Sequence, residues 1–341
     1  NKFYINYKNN CRYFLGSEEV LINKNIYLSK NNNFDLIFTN FLEKYKLKKK
    51  NNYFVLSEDL EIDKNVFLSK NENLIIKNGV KIVFLKDAIF LSEGEIIFQG
   101  SSENPIVIDG LNGNGSMILR NNKFNIENVV FKNLSLPKEK SKILHGGVNI
   151  IDSEVRIINS EILNSNSEDA INIISSNTNI NNLKISETFA DAIDIDFGKL
   201  NFTNIECSKV NNDCLDVSGA EVTGNILVTK DVLDKGLSFG EASKGKISNS
   251  SFYNNKLAVA VKDGSSLKLE NYKSKENQYD FAVFNKKSEY GKSVLHIEKI
   301  SELENLNILI GEENELLADK NINIKKLENS YIYNLFYNNI N

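Results

Sequence analysis

The sequence predicts an all-β fold, a right-handed parallel β-helix of rungs about 22 residues long. Three observations predict it. A motif recurs at a fixed interval: "DAINIISS" (169–176), "DAIDIDFG" (191–198), "DCLDVSGA" (213–220) and "KGLSFGEA" (235–242). A second marker keeps the same beat, an Asn before an apolar or small residue at Asn159, Asn182, Asn204, Asn225, Asn249 and Asn271. The segments between are short and β-rich, and none shows a 3.6-residue period of helical length. Short strands at a fixed 20–25-residue interval, with polar corners, are the signature of stacked rungs. The right hand follows from the general preference of parallel crossovers.

Taken in chain order, residues 1–60 read as an N-terminal cap. "NKNIYLSKNNNFDLIF" (23–38) is echoed by "DKNVFLSKNENLIIKN" (63–78), a shift of 40 that breaks the rung period. An open solenoid end exposes unpaired backbone and needs covering. The β-helix is expected over 61–320. The aromatic, polar tail 321–341 is a last rung or a second cap. The repeated Asn residues are expected to stack at a corner as a hydrogen-bonded ladder, because equivalent residues of adjacent rungs lie about 4.8 Å apart.

The chain has 341 residues, is 41% hydrophobic and 25% charged, and has a formal net charge of −4. That balance argues against a nucleic-acid binder, which carries a basic surplus or stripe. The lysine clusters "KYKLKKK" (44–50) and "LPKEKSK" (136–142) read as solvated loops. No apolar run reaches the roughly 18 residues of a membrane span. Three cysteines without metal spacing predict no disulfide framework behind the fold. The sequence shows no signal peptide and does not begin with Met, so it reads as a fragment or a mature form.

Period-two alternation sorts the rung strands by face. Ile171 and Ile173, Ile193 and Ile195, Leu215 and Val217, Leu237 and Phe239, Val259 and Val261 are expected inside. Three columns are then expected outside. The first is small: Ala170, Ala192, Cys214, Gly236, Ala258. The second is Asn172, Asp194, Asp216, Ser238, Ala260. The third is Ile174, Asp196, Ser218, Gly240, Lys262. A low floor bordered by carboxylates and lysine suits a polymer groove better than a deep pocket. Asp169, Asp191, Asp213 and Lys235 fall one step earlier and are expected at a corner. There Asp has a structural use of its own, bonding backbone two residues on. Adjacent carboxylates at that spacing repel by about 3 kcal/mol in an effective dielectric near 20. Lys235, corner N–H groups or a bound Ca²⁺ would offset this.

Two carboxyl groups astride a linkage are the apparatus of glycoside hydrolysis. Asp194, Asp216 and Asp196 are therefore the catalytic candidates. Lys262 joins them, either binding a substrate carboxylate or sulfate or, with a lowered pKa, acting as the base of a lyase. Asp191, Asp213, Lys235, Ser238, Glu241, Lys286 and Tyr290 are the substrate-binding candidates. His145 and His296, the only histidines, stand roughly seven rungs apart, too far for one site, which argues against Ser-His-Asp catalysis.

The order "DAID" (191–194), "NDC" (212–214), "KG" (235–236) and "VK" (261–262) resembles polygalacturonase-type β-helix hydrolases. In these an Asn-x-Asp, an Asp-Asp-Cys, a Gly-His-Gly and an Arg-x-Lys line one groove. Here Lys235 replaces the His, Ala260 the Arg and Asn212 one Asp of the central pair. Across 80–300 the chain is similar to bacterial right-handed β-helix regions found with CotH-like surface proteins, through "DKGLSFGE", "LAVAVKDGS" and "FNKKSEYG". The resemblance implies the fold, a secreted or cell-surface setting and neighbouring domains in a longer chain, and no particular activity. The sequence thus leads to a polysaccharide-engaging protein of hydrolase or lyase type. A non-catalytic adhesion or binding module, and a cation-stabilised scaffold, are the alternatives.

Overall fold

The computed structural model describes residues 12–15, 18–21, 38–136, 144–299, 306–319 and 324–338. The lysine cluster at 136–142 and the first copy of the 40-residue echo lie almost wholly outside them. Two units are distinguished, Asn1–Ile37 and Phe38–Asn341. In the first, strands Arg12–Leu15 and Glu18–Leu21 pair antiparallel. The second is a parallel β-solenoid of about 12 turns. Its described strands form one sheet of 13 and a second of 19. No described helix is long and apolar enough to cross a membrane.

The 13-stranded sheet carries the recurring motif. Its central strands are β1 (Gly146–Ile151), β2 (Asp169–Ile174), β3 (Asp191–Asp196), β4 (Leu215–Ser218), β5 (Lys235–Gly240), β6 (Leu257–Lys262) and β7 (Tyr279–Phe284). Each pairs in parallel with the next, at the register the 22-residue period predicts: Asn172 opposite Asp194, Asp194 opposite Asp216, Asp216 opposite Ser238, Ser238 opposite Ala260. The inward Ile, Leu and Val columns are fully buried in one continuous core.

The Asn residues form the expected ladder. Asn182 donates to Asn159 at 3.1 Å and Asn204 to Asn182 at 3.2 Å. Asn249 donates to Asn225 at 2.7 Å and Asn271 to Asn249 at 2.9 Å. Asn159, Asn182, Asn249 and Asn271 have φ between 45° and 66°. Asn tolerates this left-handed region better than most residues. It bends the 12-residue strands Glu154–Ser165 and Asn177–Thr188 at their middle without breaking them.

One column differs from the alternation. Ala170, Ala192, Cys214 and Ala258 belong to the interior core. A Cβ on Gly236 would meet the Phe252 ring at 2.6 Å and the Thr229 hydroxyl at 2.8 Å. The expected floor of small residues therefore faces inward. Pairing skips this position on successive rungs: Asp169 pairs with Asp191 and Ile171 with Ile193, but no pair joins Ala170 to Ala192. Two consecutive residues point into the core at the start of each strand, so the first must be small. The same irregularity turns Asp169, Asp191, Asp213 and Lys235 onto the outward face, beside Asn172, Asp194 and Asp216.

Cys207 and Cys214 form a disulfide with a Cα–Cα distance of 5.9 Å. This corrects the expectation that cysteine pairing has no part in the fold. Both residues are buried, and the bridge joins the end of the strand Lys199–Val210 to the residue before β4.

Two helices complete the solenoid. Helix α1 (Phe41–Tyr45) seats Phe41 in the core, its ring stacked 4.6 Å from Phe90. Helix α2 (Asn329–Tyr337) lies on the outward face of β6 and β7. Its Ile332 and Phe336 are buried against Leu257, Ala260, Ala282 and Phe284. The described part of the tail, 324–338, is thus a helix laid on the sheet, with Lys326–Leu327 just before it continuing the sheet as strand.

A larger side chain in the inward column should overpack the core. We expect Gly236→Val to cost about 1–3 kcal/mol of stability in a denaturant titration. Gly291→Ala, where a Cβ meets nothing within 4 Å, should change stability by less than about 0.5 kcal/mol. Equal effects would place the Gly236 column outside the core.

Candidate functional site

The outward face of β2–β5 gathers six aspartates. Asp169, Asp191 and Asp213 come from the column the strand-start irregularity turns outward. Asp194 and Asp216 come from the column that opens with Asn172, and Asp196 closes β3. Asp191, Asp194, Asp196 and Asp216 are partly exposed, whereas Asp169 and Asp213 are buried. Register and strand rise put Asp194 and Asp216 about 4.8 Å apart along the ladder, with Asp196 on a diagonal from Asp216.

The network is specific. Asn172 donates through Nδ2 to Asp169 at 2.9 Å and to Asp194 at 3.1 Å. Asp191 accepts from the Asn212 amide at 2.6 Å and the Asp213 N–H at 2.7 Å. Asp213 accepts from both the backbone N–H and the ammonium of Lys235, at 3.0 and 3.2 Å. Asp216 accepts from the Val217 N–H at 3.1 Å. Two buried polar atoms on this face have no partner among the described residues: Asn172 Oδ1 and Ser238 Oγ, on residues 1% and 0% exposed.

Crowded carboxylates with little water hold protons. Burial, reinforced by the charges of Asp196, Asp169 and Asp216, pushes Asp194 up to about 10. Burial and the neighbouring Asp213 push Asp191 to about 9. Asp169 rises to about 7, chiefly by burial. Asp196 rises to about 6 through burial and then the charge of Glu241. Asp213 is also raised, to about 6, because burial outweighs the opposing charge of Lys235. The face therefore holds, side by side, carboxyl groups that keep their protons at neutral pH and carboxylates that do not.

The lysines stand at the other end. Burial alone would lower Lys235, but Asp213, then Tyr337 and Asp234, hold it well above its ordinary value. Burial would lower Lys262 too, but Asp216, Tyr337 and Asp213 together hold it above its ordinary value. That direction is the opposite of the one a lyase base at Lys262 would need. Lys286 is lowered, first by burial and then by Lys262, Lys235 and Lys287. Glu241 ion-pairs with Lys287 rather than with Lys286. Asp263, which had no assigned part, accepts from the Lys286 and Lys287 N–H groups at 2.7 Å each. Tyr290 lies on that flank, its carbonyl accepting from Asn285 at 3.1 Å.

Five residues near this face had no part in the sequence reading of the site. His145 lies 2.6 Å from Glu168, one residue before Asp169. A step of 23 residues links His145 to Glu168, so the rung period alone could have found it. Phe189, 68% exposed, Leu233, 63%, and Phe197, 46%, border the aspartate strands. Phe189 and Leu233 precede Asp191 and Lys235 by two residues, and Phe197 follows Asp196. Tyr337 reaches the lysines from α2, some 75 residues from Lys262 in sequence.

For a cation, the acidic face does not bring three carboxylate oxygens within 4.8 Å of one another among the described residues. That closeness occurs instead at His296, Glu298 and Asp319 on the other sheet. A cavity of about 250 Å³ lies at the corner beyond Asp196, lined by Ser175, Phe197, Gly198 and Gly219 among others.

Raised carboxyl pKa values link stability to pH with a definite sign. A group whose folded pKa lies above its unfolded value stabilises fully below the unfolded value and loses that contribution as pH rises through the folded one. For Asp191 and Asp194 the window runs from near 3.8 to about 9 and 10. Melting temperature should fall across it. Asp194→Asn should melt close to the parent at the acid end and increasingly above it toward the alkaline end. A constant gap across the window, read by circular dichroism melts, would show that Asp194 is ionised throughout.

No family model matches the chain, and no curated protein matches it. The resemblances to CotH-associated regions and to polygalacturonase-type hydrolases therefore gain nothing from these comparisons. Among solved structures, a periplasmic alginate epimerase, AlgG, aligns at 11% identity and a TM-score of 0.31, over 83% of this chain and 84% of that one. An alginate lyase from Paenibacillus sp. str. FPU-7 aligns at 12% identity and a TM-score of 0.24, over 78% of this chain and 99% of that one. At these scores the likeness carries no argument about chemistry.

Proposed function

We propose that the chain engages a polysaccharide on the outward face of β2–β7 and cleaves it hydrolytically. The observation that carries this reading is the set of adjacent aspartates whose surroundings push their proton affinities apart. Pairs of titratable groups so separated are the usual mark of acid and base assignments. Asp194, protonated at neutral pH, suits the acid that gives a proton to the leaving glycosidic oxygen. Asp196 or Asp216 suits the carboxylate that activates water or attacks the anomeric carbon. Asp194 and Asp196, two residues apart on β3, lie roughly 6.7 Å apart by strand rise, which leaves room for a water, as inversion requires.

The borders of the face fit a sugar. Phe189, two residues before Asp191 and 68% exposed, offers an apolar ring suited to the apolar face of a pyranose. Asp191, Asp213, Lys235 and Ser238 then serve the face by charge and hydrogen bonding. Hydrolysis is favoured over elimination because Lys262 keeps its proton. Were elimination to occur, Lys286, whose pKa is lowered, is the better base. An exported setting, secreted or at the cell surface, suits both a polymer substrate and the buried Cys207–Cys214 bridge, since such bridges persist in oxidising compartments.

The test is product release from a panel of neutral and acidic polysaccharides. The parent should generate new reducing ends without unsaturated sugars. Asp194→Asn and Asp216→Asn should each lower the rate by about 10²-fold or more while remaining folded. Products carrying a double bond would replace hydrolysis by elimination. No products from any polymer, with binding retained, would leave an adhesion module.

A further inference from the structure

Among β1–β7, only β3 has every outward residue accessible: Asp191, Asp194 and Asp196 are all partly exposed. On the earlier rungs Asn149, Asp169 and Asn172 are 0%, 3% and 1% exposed, and on the later ones Lys235, Ser238 and Ala260 are 3%, 0% and 0%. The neighbouring β4 opens only in its second half, at Asp216 and Ser218, since Asp213 is buried. The accessible surface is therefore a lane along β3, closed on the rungs to either side. By rung spacing and strand rise it is roughly 7 Å wide and, from Asp191 to Asp196, roughly 16 Å long. A sugar chain running across the strands would meet covered rungs in both directions. One lying along β3 does not.

Each end of the lane carries an exposed apolar ring. Phe189 stands two residues before Asp191, and Phe197, 46% exposed, directly follows Asp196. Gly219 on the next rung seats Phe197: a Cβ there would fall 2.7 Å from the ring, so the ring lies on bare backbone. Phe197 also lines the corner cavity of about 250 Å³, together with Asn177, Gly198 and the ion pair of Lys199 with Glu221 at 2.8 Å. An apolar wall with a few polar groups around it is the make-up of a small-ligand site. A pyranose presents the matching combination, an apolar face edged by hydroxyls.

The lane offers no free cation among the described residues. The accessible ionisable groups of β3 and β4 are Asp191, Asp194, Asp196 and Asp216. Of the lysines around them, Lys199 pairs with Glu221, Lys235 with Asp213 and Lys287 with Glu241. Lys262 is 6% exposed. A uronate or sulfated chain laid here would meet carboxyl groups and no compensating charge.

We propose that the protein takes a neutral, unbranched polysaccharide lengthwise along β3, with one sugar stacked on Phe189 and another held in the corner cavity against Phe197. The narrow lane leaves no room for a side branch over the covered rungs. This inference rests on the polysaccharide reading and adds to it the direction of the polymer, its charge class and two end subsites.

Length-dependent binding tests it. Size-fractionated neutral gluco-, manno-, xylo- and galacto-oligosaccharides and an oligouronate series are titrated calorimetrically into the full chain. The expected result is a neutral series that binds more tightly with length until both rings are covered, and weaker binding of the uronates. Phe189→Ala and Phe197→Ala should each weaken the longer neutral oligosaccharides by about 5–10-fold. Phe197→Tyr keeps the ring and should bind as the parent does. Tyr331→Ala, which removes a 57% exposed ring on α2, should change nothing. Melting temperatures check that the variants remain folded. Tighter binding of the uronates overturns this inference and leaves the polysaccharide reading standing. So does neutral binding that Phe189→Ala or Phe197→Ala leaves unchanged, or that Tyr331→Ala weakens as much. Binding to none of the series overturns both.

Discussion

Stacking equivalent residues directly on one another is the constraint from which the rest of this molecule follows. In a parallel solenoid with rungs of nearly constant length, a side chain at one position lies about 4.8 Å from its counterpart on the next rung. Whatever a rung places at a position is presented to a near copy of itself. For Ile and Val this is favourable, and a continuous apolar core results. For Asn it is favourable for another reason: an amide both donates and accepts, so identical neighbours bond in series at the bend. For Asp it is unfavourable, since a carboxylate only accepts.

The molecule meets that unfavourable case in three ways on one face. Asn172 replaces an aspartate and donates to two of its neighbours. Lys235 replaces another and neutralises Asp213. At Asp191 and Asp194 burial first, and then the neighbouring carboxylates, raise the pKa values, and the proton itself relieves the repulsion. A scaffold has little use for so many carboxyl groups crowded at mid-strand. Its concentration on β2–β4, bordered by exposed phenylalanines, is what gives the face its chemical character. The same stacking provides direction: acids occupy the earlier rungs, lysines the later, and α2 covers the last.

The small inward column is a second consequence of repetition. An irregularity at the start of one strand must recur on its neighbours if the ladder is to stay in register. Ala170, Ala192, Cys214, Gly236 and Ala258 accommodate it with side chains small enough to enter the core beside a large residue. At Cys214 the inward side chain also reaches Cys207. The aspartates and Lys235 owe their outward direction to this extra inward residue.

The sequence by itself determined the rung period, the parallel pairing register, the inward Ile and Leu columns and the Asn ladder. Each depends on spacing along the chain, and spacing is what a repeat displays. It also placed Asp194, Asp196 and Asp216 on one outward face, because a period of two survives from Ile171 to Ile174 and through the rungs above. Only the tertiary structure decided which way Ala192 and Asp191 point, since alternation assumes a regular strand and the local backbone does not keep to one. Only it brought Cys207 to Cys214 and Tyr337 to Lys262, because those contacts join positions unrelated by the period. The protonation of Asp194 was likewise beyond the sequence. It depends on how much water the neighbouring rungs exclude, and no single rung carries that information.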